Sequence, residues 1–165
     1  MARCTALFIL VCLARVAIAD TPEDDGILFP DDASVASPME VELHLPLRDL
    51  KRLKPEESES FAAQLVLADG TSLPLEVSPR GKSRRKTCDF PPLWLNFKKK
   101  SLKGTLFEGQ NKLKLVTHCK KSYAQKDFLA AEMLVYRLFN LFTDNSFRVR
   151  ALHITYVEGE ERLSH

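Results

Sequence analysis

An Asp-Gly pair between two strand-like runs constrains the fold of this chain more than any other feature. The runs cover residues 61–68 and 71–77, and Asp69 and Gly70 separate them. This pair tolerates the positive φ angles of a tight hairpin turn. Within each run the aliphatic residues share one parity, Leu65 and Leu67 in the first, and Leu73, Leu75 and Val77 in the second. The sequence therefore predicts a β-hairpin with one buried face on each arm.

Further strands are predicted on both sides of this hairpin. Period-two alternation indicates a strand over residues 39–47, where Pro46 suggests an edge or a strand end. Strands are expected at residues 93–97, 112–118 and 147–157 as well. Taken with the hairpin, these runs predict an antiparallel sheet.

One helix is predicted, over residues 126–142, because apolar residues recur there at three- and four-residue steps. These residues are Phe128, Ala131, Val135, Leu138, Phe139 and Phe142. Other apolar residues make the helix apolar almost all round, so we expect it to pack on more than one side. The predicted fold class is α+β, an antiparallel sheet with one main buried helix.

The first residues predict export. Residues 1–19 have a short basic start, an apolar run and an A-x-A site, which is typical of a secretory signal peptide. A retained anchor is the alternative, but the apolar run is too short to cross a bilayer. Residues 20–38 predict a flexible acidic leader, and residues 39–165 a single α+β domain. We expect a secreted, periplasmic or cell-envelope protein, with no transmembrane span after signal cleavage.

Two cysteines, Cys88 and Cys119, remain after the signal peptide is removed. In an oxidising compartment such a pair more often forms a disulfide than a metal site. Two unpaired thiols are the alternative. No C-x-x-C or H-x-x-x-H spacing accompanies the histidines, so no metal site is predicted.

Positive charge is concentrated in residues 80–126, which hold fourteen Lys or Arg against two acids, a net charge of +12. Residues 20–77 hold fourteen acids against four bases, a net charge of −10. The basic segment is expected to meet an anionic ligand or an acidic protein surface, although pairing with the acidic leader stays open. Nucleic acid is not expected as a partner, because the basic residues are not interleaved with aromatic ones. Trp94 is interpreted as a core residue rather than a stacking platform.

The motif Arg80-Gly81-Lys82-Ser83 follows a strand and contains Gly-Lys-Ser. A full phosphate-binding loop needs a glycine where Glu76 stands, and Pro79 removes an amide that would face phosphate. A looser function remains, in which the glycine lets the backbone approach a ligand and nearby cations hold its phosphate oxygens. These cations are Arg80, Lys82, Arg84 and Arg85. The alternative is a solvated basic loop.

Glu132 falls at the edge of the apolar face of the predicted helix. A carboxylate there is costly to bury without a partner, and Lys112 or Lys114 on the preceding strand could supply the charge. A strand lysine paired with a helix glutamate positions nucleotide phosphates in kinases. The alternative is that Glu132 reaches the surface or bonds a backbone amide.

The order of these motifs resembles the opening of the spore coat protein H (CotH) kinase-like family. The resemblance rests on Arg80-Gly81-Lys82-Ser83, on the strand Leu95-Asn96-Phe97, and on the strand at 112–116 before an apolar helix. Three further phrases, similar to those of a bacterial exported subgroup of uncharacterised proteins, lie at 88–93, 107–110 and 112–119.

Members of the kinase type are similar to atypical protein kinases that use ATP and a divalent metal. The resemblance implies that Arg80, Lys82 and Lys112 or Lys114 face phosphate, and that Glu132 orients the lysine. The metal-binding and catalytic acids of that family lie beyond the matched region. The resemblance therefore implies either an incomplete kinase-like domain, truncated at its C-terminal end and inactive as this fragment, or a domain that lacks phosphotransfer. A longer form would transfer phosphate from ATP to an envelope or surface protein.

The alternative function is a non-catalytic cell-envelope module. Its basic segment, residues 80–126, would bind an anionic polymer or an acidic protein. Whether the chain is an enzyme is left open by the sequence.

Overall fold

The computed structural model describes residues 28–29, 38–89, 91–117, 119–120 and 123–164. The predicted signal peptide, and all of the predicted leader except residues 28, 29 and 38, lie outside the described residues. Eleven elements follow in chain order: β1 (Met39–His44), α1 (Leu47–Arg52), β2 (Phe61–Leu67), β3 (Ser72–Pro79), α2 (Ser83–Thr87), β4 (Leu93–Phe97), a 3-10 helix (Lys99–Leu102), β5 (Lys112–Leu115), α3 (Tyr123–Asn140), β6 (Leu152–Glu158) and β7 (Glu161–Ser164).

The seven strands form one sheet in the order β5-β4-β3-β2-β1-β6-β7. This mixed architecture confirms the predicted α+β class. Five of the six neighbouring pairs are antiparallel, as predicted. The strands β1 and β6 run parallel, so the prediction of an antiparallel sheet was wrong for this pair. Parallel neighbours need a long crossover, and the chain between β5 and β6, which includes α3, contributes to it.

The predicted hairpin is formed by β2 and β3, which pair antiparallel from Phe61 opposite Val77 to Val66 opposite Ser72. Gly70 adopts a φ of 85° in the turn, a conformation that glycine reaches without strain. The backbone amide of Thr71 donates a hydrogen bond of 2.8 Å to the Asp69 carboxylate, and this bond lowers the pKa of Asp69. The Asp-Gly signal is therefore confirmed together with its turn chemistry.

The core lies on one face of the sheet, where the strands bury alternate side chains. Helix α1 covers part of this face with Leu47 and Leu50, and the β4–β5 connection adds Leu102 and Phe107. Leu28, only 5 % exposed, joins the same cluster. The segment predicted as a leader thus contacts the core at this point.

The prediction of one main buried helix was wrong. Large apolar side chains of α3 and the residues just after it are exposed, namely Phe128, Leu134, Val135, Leu138, Phe139, Leu141 and Phe142. The physical reason is that the core face of the sheet is already covered by α1 and the β4–β5 connection. On α3, the less exposed positions include Glu132, Tyr136 and Asn140 instead.

Some boundaries differ from the predictions. Strand β5 ends at Leu115 rather than at residue 118, and β6 begins at Leu152 rather than at residue 147. After Gly159, whose φ is 59°, the chain completes a second hairpin by forming β7.

The predicted disulfide between Cys88 and Cys119 is confirmed, and it closes a loop of sequence separation 31. A loop of this length stabilises a protein by roughly 3–4 kcal/mol in the chain-entropy model. Replacing both cysteines by serine should therefore lower the free energy of unfolding by about that amount, as measured by urea denaturation. Reduced wild-type protein is the control and should show the same decrease, whereas the serine variant should not respond to reductant. A decrease below about 1 kcal/mol would contradict the prediction.

Candidate functional site

Trp94 lies on the face of the sheet opposite the core. In β4 the side chains of Leu93, Leu95 and Phe97 are buried, so the alternation turns Trp94 outward, where it is half-buried. The interpretation of Trp94 as a core residue was therefore wrong.

Three cations surround the Trp94 ring. The guanidinium carbon of Arg80 lies 5.0 Å from the ring centroid, and the ammonium nitrogens of Lys112 and Lys114 lie 4.4 Å and 5.8 Å from it. Each distance is within the range of a cation–π interaction. We call this group of four side chains the cation–tryptophan cluster.

The strand register explains why these four residues meet. Trp94 stands directly opposite Lys114 on β5 and opposite Ser78 on β3. Lys112 lies two residues before Lys114, and Arg80 lies two residues after Ser78, so both are on the same face and diagonal to the ring. Diagonal neighbours of this kind are within reach of long side chains.

The backbone holds Arg80 in place beyond the end of β3. Its amide donates a hydrogen bond of 2.8 Å to the carbonyl of Pro92, which extends the pairing of β3 with β4. The chain then turns at Gly81, whose φ is 78°. A residue with a side chain would be strained there, so the glycine sets the point where the chain leaves the sheet.

The cation–tryptophan cluster concentrates positive charge around one ring. The described residues place no carboxylate within ion-pair distance of Arg80, Lys112 or Lys114. The ring distances put any two of the cations no more than about 11 Å apart, which is comparable with the roughly 8 Å Debye length at physiological ionic strength. Their fields therefore overlap, and an anion bound between them would relieve their mutual repulsion.

The other predicted site residues lie beside this cluster rather than in it. Lys82 is exposed at the N-cap of α2, away from the ring contacts. Glu132 on α3 forms an ion pair of 3.8 Å with Arg84 of α2. Its partner is thus an arginine of the basic loop, not one of the two strand lysines that were considered.

The disulfide holds the basic loop against the start of α3. Cys88 ends α2 and Cys119 lies four residues before α3, and the amide of Asp89 donates a hydrogen bond of 2.9 Å to the Cys119 carbonyl. Arg85 of α2 also donates a hydrogen bond of 2.6 Å to the carbonyl of Lys54. The basic loop is therefore held by the disulfide to Cys119 and by the hydrogen bond to the Lys54 carbonyl.

Phe147 extends the site toward α3. The ammonium nitrogen of Lys114 lies 4.0 Å from the Phe147 ring centroid, and this ring packs edge-on against Tyr136 at 6.3 Å. Sequence reasoning missed both aromatic members of the site. The parity of Leu93, Leu95 and Phe97 was the signal that could have placed Trp94 outward, whereas no local signal identifies Phe147.

A second polar cluster lies on the same face at the other end of the sheet. Arg162 donates a hydrogen bond to the Glu42 carboxylate, which also contacts the ring of His44 at 3.1 Å. His153 contacts Glu40 at 3.0 Å. The Arg162 bond lowers the pKa of Glu42, burial opposes this, and the His44 bond lowers it further.

A groove of about 740 Å³ is lined by residues of four adjacent strands, among them His44, Gln64, Glu76 and Asn96. Asn96 stands opposite Lys112 in the register of β4 and β5, so one lining residue of the groove is a strand neighbour of the cation–tryptophan cluster.

The remaining chemistry of the described residues is limited. No group of three or more His, Cys, Asp or Glu side chains among them could hold a metal ion. No helix in the described part of the chain has the length and apolarity needed to cross a bilayer.

In comparisons with known proteins, no family model, curated protein or solved structure matches the chain.

Arg162→Ala is expected to raise the pKa of Glu42 toward its ordinary value, because the strongest bond to the carboxylate is lost. A lowered pKa in the folded state means that this pairing stabilises the fold at neutral pH, and that the contribution is lost as the pH falls through the pKa of Glu42. An NMR titration of the Glu42 carboxyl carbon measures the shift. Arg48→Ala is the matched control, because Arg48 pairs with Glu158 and Glu161 instead. An unaltered Glu42 pKa in Arg162→Ala would contradict the assignment.

Proposed function

We propose that this protein binds an anionic polymer through the cation–tryptophan cluster. The observation that carries the proposal is the gathering of Arg80, Lys112 and Lys114 around one half-buried ring, with no carboxylate partner among the described residues. Cations held in this way attract anions, and charge on a partly desolvated aromatic surface is screened less than on a fully exposed one.

A polymer suits the site better than a single small anion. The three cations come from β5 and from the end of β3, so each can pair with a different phosphate, sulfate or carboxylate group of one ligand. In the groove lined by Gln64 and Asn96, side-chain amides can donate hydrogen bonds to such a ligand, whereas the Glu76 carboxylate in the same groove disfavours an anion. An acidic protein segment has the same charge chemistry and is the alternative ligand of this site.

The nucleotide function implied by the CotH-like resemblance is a separate proposal. It would use Arg80, Lys82, Lys114 and Glu132 to hold ATP in a longer form of the protein. The ion pair of Glu132 with Arg84 gives this proposal less support, because the expected lysine–glutamate pair is replaced by an arginine–glutamate pair.

Binding of inorganic polyphosphate to the secreted protein should weaken steeply with salt. With three cations engaged, counterion release predicts a loss of roughly 20- to 40-fold in affinity between 50 and 200 mM salt. Trp94, the one tryptophan of the chain, reports binding by its fluorescence. The measurement is a fluorescence titration repeated at several salt concentrations.

The matched pair of variants is Lys112→Gln and Lys100→Gln. Lys112 lies against the Trp94 ring, whereas Lys100 lies in the 3-10 helix of the β4–β5 connection. Lys112→Gln should weaken binding and should reduce the slope of log affinity against log salt concentration by roughly 0.7–0.9. Lys100→Gln should leave this slope unchanged. Equal effects of the two variants, or binding that does not alter Trp94 fluorescence, would overturn the proposed site.

The nucleotide proposal is tested by comparing ATP with magnesium against inorganic tripolyphosphate. It predicts that ATP with magnesium binds more tightly and that Lys114→Ala removes the preference, whereas the polymer proposal predicts no preference. Equal affinities would reject nucleotide recognition and leave polyanion binding intact. The assay is a competition titration against the polyphosphate complex, with Lys100→Gln as the control.

A further inference from the structure

The outward side of α3 is the largest feature that the binding site does not use. Phe128 is 67 % exposed, Val135 is 63 % exposed and Phe142 is 84 % exposed. We call this surface the α3 outer face, and its members are Phe128, Leu134, Val135, Leu138, Phe139, Leu141 and Phe142. At 3.6 residues per turn the five members within α3 fall within an arc of about 140°, so they form one surface, and Leu141 and Phe142 follow in the turn after the helix.

The contacts of α3 with the rest of the protein lie on its other side. Glu132 pairs with Arg84, and Tyr136 packs edge-on against Phe147. The helix thus directs its mixed polar side toward its own chain and its apolar side away from it. An apolar stripe of this kind is normally covered.

The exposed area is sufficient for a protein interface. An aromatic side chain presents about 150–250 Å², so the exposed fractions of Phe128, Phe139 and Phe142 amount to roughly 300–500 Å². The largest apolar patch on a typical monomer is about 300–600 Å², and four aliphatic side chains here add to the three rings. A standard interface buries about 800 Å² per partner, a little over half of it apolar. The α3 outer face therefore supplies the apolar area that one half of a stable dimer needs.

Two aromatic members of the face are evenly spaced about Val135. Phe128 lies seven residues before it within α3, and Phe142 lies seven residues after it in the turn that follows the helix. Ala131 and Phe139 lie four residues on either side, so a small residue of one copy would oppose a large residue of the other. A two-fold axis places the same surface of the two copies face to face. When this axis is perpendicular to the paired helices, the helices run antiparallel.

We propose that the α3 outer face is covered by a second copy of this chain, with the two α3 helices antiparallel and the two-fold axis near Val135. Without residues 1–19 the chain has equal numbers of basic and acidic residues, so net charge does not oppose association. Apart from the exposed Asp127, which falls within the same arc of α3, the face is apolar.

The dimer has a consequence for ligand binding. Phe147, which is 61 % exposed, contacts Lys114 on one side and packs against Tyr136 of α3 on the other. Pairing through α3 thus brings the two cation–tryptophan clusters to the flanks of a shared interface. A long polyanion could then engage both clusters, and its affinity would rise through effective concentration.

The direct test is a Val135→Cys variant of the secreted protein. A residue on the two-fold axis meets its own copy, so mild oxidation should produce a covalent dimer in high yield. Ser72→Cys, an exposed position at the start of β3, is the matched control and should stay monomeric. In the protein without residues 1–19, the two remaining native cysteines, Cys88 and Cys119, are paired with each other and do not interfere.

Sedimentation of the unmodified protein provides the second measurement. The wild type should be dimeric at micromolar concentration, and Val135→Asp should be monomeric with an unchanged circular dichroism spectrum, because Val135 is exposed within one chain. Val135→Asp should also bind the short anion tripolyphosphate with the affinity of the wild type. This result would distinguish loss of the dimer from loss of the proposed ligand site. A monomeric wild type without cross-linking at Val135 would overturn it. Binding of a monomer to anionic lipid vesicles, or to another polypeptide, in a manner abolished by Val135→Asp would assign the face to that partner and also overturn it.

Discussion

The period-two alternation of the sheet is the constraint on which the rest of the structure depends. In β4 it sends Leu93, Leu95 and Phe97 into the core, and it therefore sends Trp94 to the opposite face. A slip of one residue would exchange the two faces and would bury the tryptophan together with its cations. The same strand register therefore sets both the core and the cation–tryptophan cluster. This coupling explains why a cluster of repelling cations can persist, because the apolar face behind it holds the strands in place.

The segments outside the sheet are positioned by a few specific links. The disulfide between Cys88 and Cys119 holds the basic loop near the start of α3, and the Arg84–Glu132 ion pair adds a second link between the same regions. An exposed ion pair contributes little by itself, so the covalent bond is the stronger constraint. Helix α3 belongs to the crossover that brings β6 beside β1 in parallel, and its position follows from this route rather than from packing of its apolar side.

The sequence allowed the hairpin at Asp69 and Gly70, the α+β class and the disulfide to be predicted, because each depends on a local pattern or on composition and compartment. Trp94 was misplaced although the parity of its neighbours pointed outward, because a large aromatic residue was assumed to be buried. The meeting of Arg80 with Lys114 was beyond sequence reasoning. It requires the pairing of three strands, and the register between them is set by contacts that are distant along the chain.

By itself, the sequence determined most of the strands and the long helix, which segment carries positive charge, and which cysteines could pair. These properties arise from interactions within a few residues and from side-chain chemistry. Only the tertiary structure decided which cations share one ring, that Glu132 meets Arg84, and that the apolar side of α3 points outward. The periodicity of a helix shows that one side is apolar. Which surface covers that side depends on how all the strands and helices pack together. In this fold the core face of the sheet was already covered, so the helix kept its apolar side exposed.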